Sequence, residues 1–306
     1  METGIFSSGT DQRQREKHAL CGKKHAAAGA MKPHQKGIPA LEARTNGSYP
    51  LLIAHRGAMA EAPENSAAAF DVALTRQVDG IEFDVRLSAD GVPVVFHDDA
   101  LFRITGKNGS VFDYPFDTLR TFDYGKWFSE TFAGTSLMRL KDVLGMYAHK
   151  TNLMIELKTG PTAIDGFAKK RSRLSETVAE MIMTNVPENC IGNMHVLSFD
   201  HEALMIAHSH APSLKYIFNI DHDIYRQFDI TARNPAIYGY GVPLADLDDS
   251  LVRYGRRYGK RIMTYSCNTV KQMHRVLDAN ADFILTDDPA AVVPYFRASR
   301  QRLKQR

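Results

Sequence analysis

From Tyr49 onward the chain repeats one pattern, a short apolar run of strand composition followed by a segment with helical spacing. The apolar runs are Leu51–His55, Ile81–Leu87, Val94–His97, Asn152–Lys158, His195–Phe199, Lys215–Asn219, Ile237–Val242, Arg261–Ser266 and Phe283–Thr286. Helices are predicted at Ala67–Leu74, behind the capping segment Glu64-Asn65-Ser66, then near Lys141–Lys150, Asp165–Asn185 and His201–His208. Further helices follow Asp221, span Asp246–Tyr258 and Val270–Asn280, and open at Pro289, a good first helical position. The run at Val94 is reached by a turn far too short for a parallel crossover, which needs about a dozen residues. Setting it aside leaves eight strands, each eventually followed by a helix. That alternation predicts an α/β protein with a (β/α)8 barrel, a β-hairpin after strand 2 and a long insertion before the following helix.

The hairpin carries the first chemical signal. Ile81, Phe83 and Val85 alternate with Glu82 and Asp84, so both carboxylates stand on one pleat. Asp90-Gly91 accepts positive φ and sits between two apolar runs, which folds Val94–His97 back along Asp84–Leu87. His97 then comes close to Asp84. Two hard oxygen donors and an imidazole on a stiff ribbon suit a divalent-cation site with an acid or base beside it. Active sites of such barrels lie where strands end, and His55-Arg56, Glu82-x-Asp84 and Glu156-x-Lys158 all fall there. One such pair alone reads as an ordinary salt bridge at a strand end. Three converging on one rim read as a site.

The remaining stretches bound the function. Residues 100–137 are rich in Phe, Tyr, Gly and Asp and hold the only tryptophan, Trp127; a loop this long is expected to cover the site. Net charge is +3, too mild to imply nucleic acid. Residues 1–48 hold eight Lys/Arg against four Asp/Glu without apolar periodicity, and are expected to form a disordered basic tail ahead of a catalytic domain over 49–306. That tail shows no signal-peptide core of about 7–15 apolar residues, and no run approaches the ~18 of a transmembrane segment. Cys21, Cys190 and Cys267 are too few and too scattered for a disulfide framework, which favours a reducing, cytoplasmic setting.

The motifs His55-Arg56-Gly57, Glu64-Asn65-Ser66, Asp79-Gly-Ile-Glu-x-Asp-Val85, Asp90-Gly-Val-Pro-Val-Val-x-His97-Asp98, Ile155-Glu-Leu-Lys158 and Thr286-Asp-x-Pro289 stand in a recognisable order. Over residues 49–297 the chain resembles the glycerophosphodiester phosphodiesterase family. The resemblance implies a TIM-barrel hydrolase that cleaves a glycerophosphodiester to sn-glycerol 3-phosphate and an alcohol with one divalent cation, Mg²⁺ or Ca²⁺. By position it implies Glu82, Asp84 and Glu156 as metal carboxylates and His55 and His97 as the acid/base pair. Arg56 and Lys158 are implied beside the phosphate, with Glu64 close to the substrate. Three positions depart from the family pattern: Ser66 replaces Thr, Tyr265-Ser-Cys-Asn268 replaces Trp-Thr-Val-Asn, and Met138-Arg-Leu-Lys-Asp142 lacks Pro-Thr-Leu-Glu. The last two bear on the leaving-group pocket.

A phosphodiester anion repels nucleophiles, so charge neutralisation and proton transfer are the expected work of these groups. Three carboxylates without cysteine favour Mg²⁺ or Ca²⁺ over zinc. The attacking oxygen is water or the glycerol 2-hydroxyl, and either histidine can be the acid. The partner is a small molecule, with oligomeric state left open. Rival readings are a phosphodiesterase for a lysophospholipid, phosphoinositide or sugar phosphodiester, and a non-catalytic binding module, against which the intact site residues speak. Asp287-Asp288-Pro289 reads as the cap of the last helix. His195, His201, His208, His210 and His222 read as packed or surface residues, and Phe199 and Tyr265 as pocket wall or core.

Overall fold

The computed structural model describes residues 49–160 and 166–304. The expected basic tail over 1–48 lies outside the described residues. Among the described residues nine strands form one sheet: β1 Leu51–His55, β2 Gly80–Leu87, β3 Pro93–Val95, β4 Asn152–Leu157, β5 Met194–Ser198, β6 Lys215–Asn219, β7 Ile237–Pro243, β8 Arg261–Tyr265 and β9 Phe283–Thr286. The main helices are α1 Ala67–Thr75, α2 Leu140–Tyr147, α3 Phe167–Asn185, α4 His201–His210, α5 Ile224–Thr231, α6 Asp249–Arg257, α7 Val270–Ala279 and α8 Pro289–Lys304. Boundaries differ from expectation by a few residues, as frayed helix ends dictate.

All strands but β3 pair in parallel, and β1 bonds both β2 and β9, which closes an eight-stranded barrel. β3 returns antiparallel on β2, with Val85 opposite Val95 and Leu87 opposite Pro93. The hairpin is therefore as expected, and Gly91 at its turn has φ +82°.

Period-2 alternation sorts the strand residues into two cores. The outward face, including Leu52, Ile81, Phe83, Ile155, Val196 and Ile284, packs under the helices. The inward face fills the barrel with Ile53, Met154, Leu197, Ile217, Met263, Phe283 and Leu285. Those inward positions form rails, and each rail continues to a polar or aromatic residue at the C-terminal mouth. Ile53 leads to His55, Met154 to Glu156 and Lys158, Leu197 to Phe199, Met263 to Tyr265 and Leu285 to Asp287.

The insertion over 100–137 is less irregular than expected. Leu101, Ile104, Val111, Leu119, Tyr124 and Leu137 build a separate small core on Val94 and Phe96 of the hairpin. The chain then runs back along the outer edge of β3, where Val95 donates its N–H to the Met138 carbonyl at 2.9 Å. That pairing covers an edge which would otherwise expose unpaired backbone groups. The insertion thus buttresses one wall of the mouth.

Candidate active site

Glu82 and Asp84 on β2 and Glu156 on β4 face one another across adjacent strands, because Asp84 is in register with Glu156. One carboxylate oxygen from each lies within 4.8 Å of the others. Glu82 is 0 % exposed and Asp84 1 %, a costly burial for charges unless opposite charge meets them. Lys158 Nζ lies 2.5 Å from Glu156 Oε1 and 3.2 Å from Asp84 Oδ1. Arg56 Nε lies 3.4 Å from Asp84 Oδ2. Asn65 donates to the same oxygen at 2.8 Å, and Asn219 donates to Glu156 Oε2 at 3.4 Å. Asn219 fits because its neighbour on β7 is Gly241, where a Cβ would stand 2.1 Å from the Asn219 Oδ1.

These contacts leave the cluster unevenly balanced. Burial pushes the Glu82 carboxyl above the ordinary carboxylate range, and the Asp84 charge adds to the push. For Asp84, burial is outweighed by Lys158 and Arg56, which hold it well below that range. Burial likewise opposes charge on Lys158, yet Asp84 and Glu156 raise it overall. Glu82 Oε1 is buried with no hydrogen-bond partner among the described residues. Three carboxylates against two cations, with an orphaned oxygen and only hard donors, fit a divalent cation.

His55 ends β1 with its Nε2 3.9 Å from Glu82 Oε2. Its Nδ1 lies 2.6 Å from Asp287 Oδ1. An ionised carboxylate can only accept, so Nδ1 carries the proton and Nε2 is left to face the acid cluster. Burial opposes a proton on Nε2, but Asp287 and Glu82 outweigh it and raise the His55 pKa above 6.5. Asp287 is fixed in turn by Asn268 Nδ2 at 2.6 Å and Ser266 Oγ at 3.2 Å. Here the capping expectation is corrected. Asp288 alone caps α8, accepting from the Ala291 N–H at 3.1 Å, while Asp287 turns inward to His55. The rail Phe283–Leu285–Asp287 was the signal that marks it.

His97 mirrors this arrangement across the hairpin. Its Nδ1 lies 2.7 Å from Asp98 Oδ1, and its carbonyl accepts from Arg86 Nη2 at 2.7 Å. The β2–β3 register brings His97 toward the acid cluster: Phe96 donates its N–H to the Asp84 carbonyl at 3.0 Å.

Arg56 takes positive φ, +54°, an unfavourable conformation for a residue with a Cβ. It places the Arg56 N–H on Glu82 Oε2 at 3.1 Å and Nη1 on Glu64 Oε1 at 2.9 Å. The next residue, Gly57, has φ +80°, and a Cβ there would stand 2.7 Å from the Ala69 backbone of α1. Glu64 is held below the usual carboxylate range: burial opposes this, but Arg103 and Arg56 prevail. On the far side of the mouth Phe199, 43 % exposed, meets Tyr265 edge-on at 6.2 Å and lies 5.9 Å from Lys158 Nζ. Phe199 is thus open to solvent at the mouth, while Tyr265 packs on the barrel core. His195 instead points down the barrel, packed edge-on against Phe283 at 5.3 Å.

Two carboxylate-aligned imidazoles beside a buried acid cluster, with Arg and Lys adjoining, mark a (β/α)8 barrel with a charged site at its C-terminal mouth. Comparison with known proteins agrees. A sequence model of the glycerophosphoryl diester phosphodiesterase family matches residues 55–291, and the chain belongs to that family. It is 31 % identical over 248 residues to a glycerophosphodiester phosphodiesterase of Caldanaerobacter subterraneus subsp. tengcongensis, covering 81 % of this chain and 98 % of the relative. A Bacillus altitudinis glycerophosphodiester phosphodiesterase is 30 % identical over 246 residues, covering 79 % of this chain and 96 % of that one. Among solved structures, a glycerophosphodiester phosphodiesterase of Agrobacterium tumefaciens superposes with a TM-score of 0.68 at 27 % identity, covering 80 % of this chain and all of the other. An Oleispira antarctica phosphodiesterase in complex with the product sn-glycerol-3-phosphate shares the fold, with a TM-score of 0.70 at 22 % identity, covering 84 % of this chain and 97 % of that one. The chain is accordingly a phosphodiesterase of this family, and among the described residues no helix is long and apolar enough to cross a membrane.

Proposed function

We propose that residues 49–306 form a catalytic domain that hydrolyses a glycerophosphodiester to sn-glycerol 3-phosphate and an alcohol. In this reading His55 and His97 share the proton work, and Glu82, Asp84 and Glu156 hold one Mg²⁺ or Ca²⁺. The observation that carries it is the meeting of those three carboxylates within 4.8 Å, with His55 Nε2 3.9 Å from Glu82. A cation bound there supplies positive charge to the phosphoryl oxygens and stabilises the charge that develops on them. Arg56 presents a planar fork for a phosphate oxygen pair, and Lys158 adds a compact charge on the opposite side. Both are pre-oriented by the acids they now contact, which limits the entropy lost when substrate arrives.

One imidazole Nε2 takes the proton of the attacking oxygen, and the other gives a proton to the leaving oxygen. The Nδ1 bonds to Asp287 and Asp98 fix both tautomers and stabilise each imidazolium as it forms. Phe199 and Tyr265 form the wall available to the leaving alcohol. The product named for the Oleispira antarctica structure supports glycerol 3-phosphate as the retained half.

The test is choline release from glycerophosphocholine with Mg²⁺, Ca²⁺ or chelator. The expected result is cation-dependent release, lowered about 10²- to 10⁴-fold by His55→Ala or by His97→Ala. Release that survives either substitution, or chelator, would overturn the assignment.

A further inference from the structure

The insertion carries a residue with no part in the chemistry above. Arg103 makes four hydrogen bonds at once. Its Nε donates to Asp98 Oδ2 at 2.5 Å and its Nη2 to Asp98 Oδ1 at 2.9 Å. Its Nη1 and Nη2 donate to Glu64 Oε2 and Oε1, both at 2.8 Å. Asp98 is the carboxylate that aligns His97, and Glu64 is the one that holds Arg56. The guanidinium carbon lies 5.4 Å from the centre of the Trp127 ring, which covers it.

We propose that Arg103 is a positioning residue, fixing His97 through Asp98 and Arg56 through Glu64, so that the insertion braces two walls of the catalytic mouth in one spacing. This rests on the acid/base reading of His97. Glu64, His97 and Asp98 approach one another as closely as a cation-binding group would, and the Arg103 guanidinium supplies the charge that such a group requires. Only a planar fork can reach two carboxylates in this way; an ammonium offers a point charge in their place. Isolated exposed ion pairs contribute little, but a bidentate network with low freedom does. The Arg103 side chain is 43 % exposed, but its backbone is anchored between Leu101 and Ile104, both buried in the insertion core, and its fork is held by four hydrogen bonds. A cleft lined by Glu64, His97, Ile104, Tyr124 and Leu137 runs between insertion and site, so side-chain bridges across it link the two.

Without Arg103, Asp98 keeps its charge but loses its orientation, and His97 is displaced from the line of proton transfer. Arg56 remains on Glu64 and Asp84, so phosphate binding suffers less. The test is steady-state kinetics of Arg103→Ala and Arg103→Lys on glycerophosphocholine, with thermal unfolding and cation affinity measured on the same samples. Arg103→Ala is expected to lower kcat about 10- to 100-fold while KM stays within about 3-fold of wild type. Added guanidinium is expected to restore much of that loss in Arg103→Ala and nothing in wild type, with Arg103→Lys intermediate.

A second readout needs no substrate. The Nδ1 proton of His97, assigned by its disappearance in Asp98→Asn, gives a downfield NMR resonance that is broadened by exchange in Arg103→Ala and sharpened again by guanidinium. Wild-type kcat in Arg103→Ala, a loss that guanidinium leaves untouched, or an unchanged His97 resonance would overturn the proposal. Wild-type protein inert toward every glycerophosphodiester would instead overturn the acid/base reading, while the resonance would still decide the role of Arg103.

Discussion

Asp287→Asn is the sharpest probe of how His55 is set. The two atoms of the side-chain carboxylate have different neighbours: Oδ1 meets His55 Nδ1 and Ser266 Oγ, and Oδ2 meets Asn268 Nδ2. An amide cannot accept on both. With its NH₂ in the Oδ2 place it faces the Asn268 NH₂, donor against donor. With its NH₂ in the Oδ1 place it forces the neutral His55 proton from Nδ1 to Nε2, the nitrogen that faces the acid cluster. Either outcome forfeits a charge-assisted bond worth about 1.5–3 kcal/mol, which converts at ~1.4 kcal/mol per decade to a kcat loss of about 10- to 150-fold. KM should change little, because Asp287 touches no group in the phosphate cradle. The pH dependence supplies the sign. The His55 pKa is raised in part by Asp287, so removing that charge destabilises the imidazolium and moves its limb of the pH–rate profile to lower pH. The assay is kcat and KM for glycerophosphocholine from pH 5 to 9 at saturating cation. A variant within about twofold of wild-type kcat, or a limb that moves to higher pH, would refute the reasoning.

A further prediction concerns stability. His195 is 1 % exposed inside the barrel, where burial and the nearby Lys215 charge depress its pKa from 6.5 to about 3. The unfolded chain therefore binds the extra proton between those values, and stability that is complete above pH 6.5 falls as the pH drops. The slope from this one group is ~1.4 kcal/mol per pH unit, or about 2 kcal/mol lost by pH 5. Urea unfolding of wild type and His195→Leu from pH 7.5 to 5 should show the wild-type slope exceeding the variant slope by that amount; parallel curves would contradict the buried neutral imidazole.

The barrel was legible because parallel strands buried on both faces leave apolar runs that composition cannot disguise, as in Leu51–Ala54 and Phe283–Leu285. The hairpin was legible because Asp90-Gly91 meets a specific backbone need, and Glu82 and Asp84 because alternation set them apart from Ile81, Phe83 and Val85. Asp287 was hidden by its neighbour: two adjacent Asp residues before a helix-opening Pro both look like caps, and only the inward rail through Leu285 separates them. Arg103 gave no periodic signal, since its partners lie five residues away at Asp98 and thirty-nine away at Glu64. The insertion was expected to cover the site because of its length; its own core on Val94 and Phe96 was not legible, since those contacts join residues far apart in the chain.

Everything in the mechanism depends on the acid cluster as a cation site, and calorimetric titration of metal-free protein with Mg²⁺ and with Ca²⁺ tests that most directly. One cation per chain is expected in wild type, with affinity weakened at least about 10-fold in Glu82→Gln, Asp84→Asn and Glu156→Gln alike, and a cation at ~100 times its Kd should add about 2.7 kcal/mol of stability. Equal binding by wild type and all three variants, or no binding by wild type, would contradict it.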